Sequence, residues 1–405
     1  MSVFSSLSPA ASRSVPKTVW ILGFVSLLMD VSSEMVQTLL PLYLVSGLGV
    51  SALAIGMIEA VAVATATVTK LFAGVLSDML ASRKWLAVIG YGLAAISRPI
   101  FPLADGVGQI VVAKFIDRIG KGIRSAPRDA LIADAAPPEA RGASFGLRKS
   151  LDTMGGFFGP LIAVGVMLLS AGDFRLVFWL AVLPAVAAVG LLIFAIREPQ
   201  KPFHPKARPA ILKQAGKLNR ACWMVMIVAA ILMLARFSEA FLLLRADQVG
   251  IAISFVPLVM VLMHGVYGFC AYPVGVLSDR IGRSGLLAVS IGVLALADLA
   301  IAVLPGVAGY LAGIVLWGLH MGMSQGLLAT LMADHAPPHL RGSAFGMFNL
   351  VCGGALLIGN LLAGGLWEFA GAQATFLAGG AFCVLAGLAI TILPRGNIIT
   401  GQMRG

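Results

Sequence analysis

Twelve apolar stretches follow one another along this chain with short polar intervals between most of them: 19–46, 51–76, 85–104, 107–127, 144–170, 174–196, 219–246, 251–277, 285–304, 308–332, 344–369 and 373–394. A helix crosses the hydrocarbon of a bilayer in about 20 residues. Lipid offers the backbone no hydrogen-bond partners, so such stretches must satisfy their own N–H and C=O groups as helices. Several exceed the minimum length, which implies tilt. The chain is 59% hydrophobic and 12% charged, with a mean hydropathy of +0.96. A soluble domain carries about 25% charged residues and could not bury this much apolar surface. The expected class is an all-α polytopic membrane protein with twelve transmembrane helices and the lipid bilayer as its surroundings.

The net charge of +11 would point to nucleic acid in a soluble protein. Here the cations collect in alternate loops. Arg13 and Lys17, Arg83 and Lys84, Arg124, Arg128 and Arg141, Arg280 and Arg283, Arg341, Arg395 and Arg404 all fall on one side. The opposite loops hold almost none, with Arg175 and Arg245 the exceptions. By the positive-inside rule both termini are cytoplasmic, and no nucleic-acid partner follows. The expected location is the bacterial inner (plasma) membrane. The polar N-terminus leads into an apolar run that carries Asp30 and Glu34 and has no clear cleavage site, so it reads as a retained first helix. Cys222, Cys270, Cys352 and Cys383 stand alone in apolar segments. They show no ligand spacing and no disulfide framework, and no metal or cofactor is expected.

The chain also repeats itself. GVLSD at 74–78 returns at 275–279, and DAAPPEARGASFG at 134–146 returns as DHAPPHLRGSAFG at 334–346. More weakly, Ser33 and Glu34 correspond to Ser238 and Glu239. Chance likeness between apolar segments does not reproduce two polar loops at matching places. The proline-rich basic stretch 197–218 divides the chain into six helices and six. The expected domains are an N-terminal six-helix bundle (1–196), a cytoplasmic linker (197–218) and a C-terminal six-helix bundle (219–405). Transporter duplications of this kind place the substrate between pseudo-symmetric halves near mid-membrane.

Charges inside apolar segments carry the chemistry, since each costs about 2.5–3.5 kcal/mol on insertion scales. Lys114, Asp117, Arg118 and Lys121 follow i, i+3, i+4, i+7 and so share one helix face. That face is expected to look into a watery cavity. Asp30 and Glu34 share a face of the first helix at i, i+4. Arg148, Lys149 and Asp152 lie in the cytoplasmic half of the fifth, and Arg236 and Glu239 a little outside the middle of the seventh. Glu59, Lys70, Arg98 and Asp298 are scattered and receive no role. These sites favour cations, which suits an anionic or zwitterionic solute held by charge-assisted bonds.

On these residues the chain resembles the major facilitator superfamily over essentially its whole length. That family's loop between helices 2 and 3 is similar to GVLSDMLASRK here, with Gly74, Asp78, Arg83 and Lys84, and to the second copy GVLSDRIGRS, with Gly275, Asp279, Arg280, Gly282 and Arg283. Ala81 stands where the family has glycine. The resemblance implies a gate, with the aspartate pairing to an arginine across the cytoplasmic interface. Arg118, Lys121 and Gly122 resemble the arginine motif of helix 4, with lysine for the usual glutamine. Arg124 is an unusual charge there. GGFFGPLIAVG in the fifth helix resembles the exporters' motif at Gly155, Gly159 and Pro160, with Ala163 and Val164 replacing its last glycines. In the second half Gly359 remains but Asn360 replaces the proline. The fold so implied is two pseudo-symmetric six-helix bundles, with helices 1, 4, 7 and 10 lining a cavity. Trp317, His320, Ser324 and Gln325 would then offer stacking and hydrogen bonds from helix 10.

The functional expectation is a monomeric secondary transporter working by alternating access. It exports a small organic, anionic solute or drug in exchange for protons. Glu34 ranks first as proton carrier, Asp30 second and Asp117 third, because adjacent Arg118 keeps Asp117 ionised. His320 is expected to be a neutral packed or cavity-lining histidine rather than a carrier. A proton-coupled importer of an anionic nutrient or metal chelate is the alternative within the fold. A non-transporting sensor is the alternative outside it, and it would expect an appended soluble domain. No motif for an intramembrane enzyme is present, so catalysis is not expected.

Overall fold

The computed structural model describes residues 15–79, 82–137, 140–196, 216–281, 283–324, 327–337 and 340–391. Among them the secondary structure is helical throughout. The membrane segments are α1 (Lys17–Gly47), α2 (Ala52–Met79), α3 (Arg83–Leu103), α4 (Val107–Ala135), α5 (Arg141–Leu169) and α6 (Phe174–Ala195). They continue with α7 (Arg220–Gln248), α8 (Pro257–Ile281), α9 (Arg283–Val303), α10 (Gly306–Ser324, resuming at Leu327–His335), α11 (Arg341–Ala370) and α12 (Ala372–Thr391). Eleven are long and apolar enough to cross a membrane by length and composition. The exception is α4, where Lys114, Asp117, Arg118, Lys121, Arg124, Arg128 and Asp129 put more than two charges into every stretch of that length. The fold is the expected twelve-helix one, and α4 reaches its place through partners rather than through hydropathy.

Polar side chains fix several helix starts. Ser82 accepts from the Trp85 N–H, Asp173 from the N–H groups of Arg175 and Leu176, and Asn219 from that of Cys222. Each satisfies donors that a helix start leaves open. Some helices are interrupted. Pro99 has no N–H to give, so α3 breaks at Arg98 and resumes at Ile100–Leu103. The chain of α7 unwinds over residues 236–239, between Arg220–Ala235 and Ala240–Gln248. There the Ser238 N–H donates to Asn360 Oδ1 at 2.7 Å. The asparagine that stands in place of a proline thus caps a broken helix.

The chain forms two compact units. One draws its described residues from Met1–Val50, Val61–Arg208 and Ile251–His264, the other from Ser51–Ala60, Pro209–Gly250 and Gly265–Gly405. The first has a core of Val19, Leu22, Val25 and Met29 from α1, Tyr91 and Ala94 from α3, Leu131 and Ile132 from α4, and Ala188 and Leu192 from α6. Glycine lets α3 and α4 touch. A Cβ on Gly90 would lie 2.6 Å from Arg124 N, and one on Gly120 would lie 2.6 Å from Gly90 O. In the second unit Phe237, Phe241, Trp317, Trp367 and Phe376 form a chain of tilted and edge-on ring contacts. Tyr310 Oη donates to Leu242 O at 2.8 Å, and Ser290 Oγ lies 2.9 Å from His320 Nδ1. Large apolar side chains such as Phe72, Leu169, Phe194, Phe269 and Phe369 stay exposed, as a lipid-facing surface requires.

Candidate functional site

The first unit gathers its charges where α1, α3, α4 and α5 meet. Its deepest element is Arg98, 1% exposed, which α3 presents at its proline break. Arg98 Nη2 donates to Asp117 Oδ1 at 2.8 Å and to Ser33 Oγ at 2.7 Å. One guanidinium thereby joins α1, α3 and α4. Arg118 Nη2 approaches the other oxygen, Asp117 Oδ2, at 3.3 Å. Asp117 is 3% exposed, so its charge is balanced by two arginines rather than by water.

Further along α4, toward its C-terminal end, a second network runs across the same helices. Arg124 Nη2 lies 3.7 Å from Asp30 Oδ1, and its guanidinium stacks 4.8 Å from the Tyr91 ring centre. Arg128 donates to Ser26 Oγ (3.3 Å) and to Asp129 Oδ1 (3.1 Å). Arg148 bridges Asp129 Oδ1 at 3.4 Å and makes a short ion pair with Asp152 one turn along α5. Not every donor is met: Arg124 Nη1 and the Nε atoms of Arg98, Arg118 and Arg148 are buried without a hydrogen-bond partner, as is Asp152 Oδ1. Of these, Arg124 Nη1 belongs to the guanidinium beside half-exposed Asp30 (28%).

Helix α5 approaches α1 through the two glycines of its repeated-glycine motif. A Cβ on Gly155 would stand 2.8 Å from Asp30 Cβ, and one on Gly159 would stand 2.6 Å from Glu34 Cβ. The glycines therefore fit against the two acids of the first helix, one turn apart on each helix. Pro160 lies within α5, which remains helical through it. Glu34 is half-buried, and its backbone carbonyl accepts from Thr38 Oγ1 at 2.6 Å.

The face expected of Lys114, Asp117, Arg118 and Lys121 is divided. Lys114 and Asp117 are buried within the unit, Arg118 is half-buried and Lys121 is exposed, as is Lys149. In the second unit Arg236 and Glu239 flank the unwound part of α7 and are half-buried, while Trp317 and His320 are buried. His320 is engaged with Ser290 and Ser324. Gln325 lies outside the described residues. Gly74, Asp78, Asp279 and Arg283 belong to α2, α8 and α9, with their side chains outside the described set. Arg83 makes a short ion pair with Asp134 at the end of α4.

Arg98, Arg128, Asp129, Tyr91, Ser26 and Asp134 belong to these networks; Arg128 entered the sequence reading only as a loop cation, and the others carried no role. Helical periodicity groups residues of one helix and cannot name a partner on another. The signal for Arg98 was its depth, a lone cation followed by proline inside an apolar run. For Asp134 it was a place in the repeated polar loop.

The Major Facilitator Superfamily model matches residues 22–357 and 246–398. An MFS-type transporter of Methanocaldococcus jannaschii, MJ1317, is 27% identical over 393 residues, 94% of this chain and 96% of its own. The quinolone resistance protein NorA of Staphylococcus aureus is 26% identical over 243 residues, 58% of this chain and 60% of its own. Among solved structures, a mutant form of the nucleoside transporter NupG superposes with a TM-score of 0.78 at 15% identity, over 93% of this chain and all of its own. At that identity the likeness speaks for the fold. Taken with the repeated loops and the twelve helices, the match settles the assignment: this chain belongs to the Major Facilitator Superfamily.

Proposed function

We propose that this transporter exports a small organic anion or drug in exchange for protons, by alternating access. The observation that carries the reading is the packing of Gly155 and Gly159 against Asp30 and Glu34, beside a cluster in which arginine and lysine outnumber carboxylates. An acid half-open to a cavity can hold a proton when the cavity is empty. It gives the proton up when a cation such as Arg118 or Arg124 comes near. The cationic donors hold the solute's negative charge, so one small region couples proton entry to solute exit. The exporter-like glycines of α5 and the partial likeness to NorA favour outward transport. In this reading the halves divide at 197–218, both termini are cytoplasmic in the bacterial inner membrane, and the chain works as a monomer. Asp78 and Asp279, with the arginines of their loops, form the cytoplasmic gate.

A deletion strain screened against toxic compounds, organic anions and metal chelates identifies the solute, and proteoliposomes then test the coupling. An inward proton gradient should deplete the solute from the cytoplasmic side. Accumulation there would instead favour import of an anionic nutrient or chelate, which the basic cluster would also serve. Glu34→Gln should reduce gradient-driven transport to the level of empty liposomes while the protein still folds, as judged by its melting midpoint. Transport at the wild-type rate would defeat the assignment of Glu34.

A further inference from the structure

Helix α9 carries one acid deep in its apolar run, Asp298. It is fully buried (0% exposed), and neither carboxylate oxygen has a hydrogen-bond partner. Its surroundings are apolar. A Cβ placed on Gly379 of α12 would lie 2.5 Å from Asp298 Oδ2 and 3.2 Å from Phe237 Cε1. Phe237 belongs to the unwound part of α7 and packs against Trp317 and Phe376. The titratable side chains on the neighbouring elements include Cys383 on α12, Tyr310, His320, Asp334 and His335 on α10, and Arg220, Cys222, Arg236, Glu239, Arg245 and Asp247 on α7. None of them bonds to Asp298.

The duplication makes this position informative. GVLSD returns 201 residues on and the later loop 200; at the spacing of 200, which also brings the buried positions 90, 94, 97, 98 and 101 onto 290, 294, 297, 298 and 301, Asp298 corresponds to Arg98 and Trp317 to Asp117. Ser238 corresponds to Ser33 through the weaker match. The first copy thus holds arginine, aspartate and serine bonded together, whereas the second holds aspartate, tryptophan and serine. The second copy keeps an ionisable group at the helix crossing, and among the described residues no cation bonds to it. A carboxylate sealed in such a place is costly, and a carboxylic acid avoids most of that cost. Ionisable residues inside membrane segments are retained for function more often than for packing.

We propose that Asp298 is a proton-binding site of the second unit, sealed by α7 and α12 and filled or emptied only when the break in α7 lets Phe237 move aside. Emptying it transfers one proton from the carboxyl group to water and leaves a carboxylate. That charge then favours the opened arrangement, so protonation and the state of α7 are linked. The site is separate from Asp30 and Glu34, and its test needs no transported solute.

Infrared spectra of the purified protein in nanodiscs should contain a carbonyl band of a protonated carboxyl that moves slowly on transfer to deuterium oxide. Asp298→Asn should remove that band. In parallel, hydrogen exchange read by mass spectrometry should follow the Ser238 amide, which Asn360 holds. After correction for intrinsic chemistry, exchange there should rise from mildly acidic to mildly alkaline pH in the wild type, and the rise should vanish in Asp298→Asn. Asp298→Ser, smaller and still neutral, serves as the second variant should the amide fail to fold. Persistence of the band in the variants would overturn the proposal. So would equal pH dependence at Ser238 in wild type and variant, even with the band lost.

Discussion

Replacing Arg98 by alanine should cost about 3–5 kcal/mol of stability, because it strands Asp117 in the interior without its closest partner. The remaining contact, Arg118 Nη2 at 3.3 Å, is longer and comes from the same helix as Asp117. It cannot replace the tie to α1 and α3. Arg98→Lys should fall between, since an ammonium lacks the planar fork and would have to reach Asp117 and Ser33 with one nitrogen. Removing both charges with shape-matched apolar residues, Arg98→Met with Asp117→Leu, should recover much of the loss, as buried pairs are weak stabilisers compared with apolar packing. The measurement is the thermal midpoint in detergent followed with a thiol-reactive dye, since Cys222 and Cys383 are buried until the fold opens. An alanine variant that melts with the wild type would show that Arg98 does not pin these helices.

The second large effect is expected at Gly159. A methyl group there meets Glu34 Cβ at 2.6 Å and the Val31 carbonyl at 2.8 Å, so backbone must move. Overpacking of this kind costs about 1–3 kcal/mol, and the displacement falls on the acid proposed to carry the proton. Gly159→Ala should therefore lose transport more completely than its loss of folded protein explains. Gly155→Ala should behave alike through Asp30 Cβ and Leu27 O. Gly165 is the internal control, as nothing lies within 4 Å of a Cβ there. Its alanine variant should be neutral or stabilised by up to about 1 kcal/mol through helix propensity. Equal behaviour of Gly159→Ala and Gly165→Ala in the transport assay would contradict the close fit of α5 on α1.

Most helix positions could be read in advance, because lipid permits one backbone solution and hydropathy marks where it applies. The stretch 285–304 became Arg283–Val303, and 373–394 became Ala372–Thr391. Hydropathy misleads where partners far along the chain decide the outcome. The fourth segment, expected to end at 127, continues through Pro127 to Ala135, where Arg124 and Arg128 find partners on α1 and Asp129 pairs with Arg148 of α5. The seventh, expected as one helix over 219–246, unwinds where Asn360 takes the Ser238 amide, a contact that a window of local hydropathy cannot register. At the site the types of residue were legible and the pairings were not. Asp117 was matched with Arg118, its neighbour in sequence, while the shorter bond comes from Arg98.

The contact between α3 and α4 has its counterpart between α9 and α10, where Ser290 and His320 stand two hundred residues on from Gly90 and Gly120. One copy closes the crossing by bare backbone, the other by a polar clasp. A serine at 90 would collide with Arg124 N, and a glycine at 290 would leave the imidazole without its hydroxyl. After duplication each crossing must have drifted by matched steps, and the copies have ceased to be spare parts for one another. A chimera that exchanges α3 for α9 alone should misassemble, whereas exchanging α3 with α4 for α9 with α10 preserves both fits.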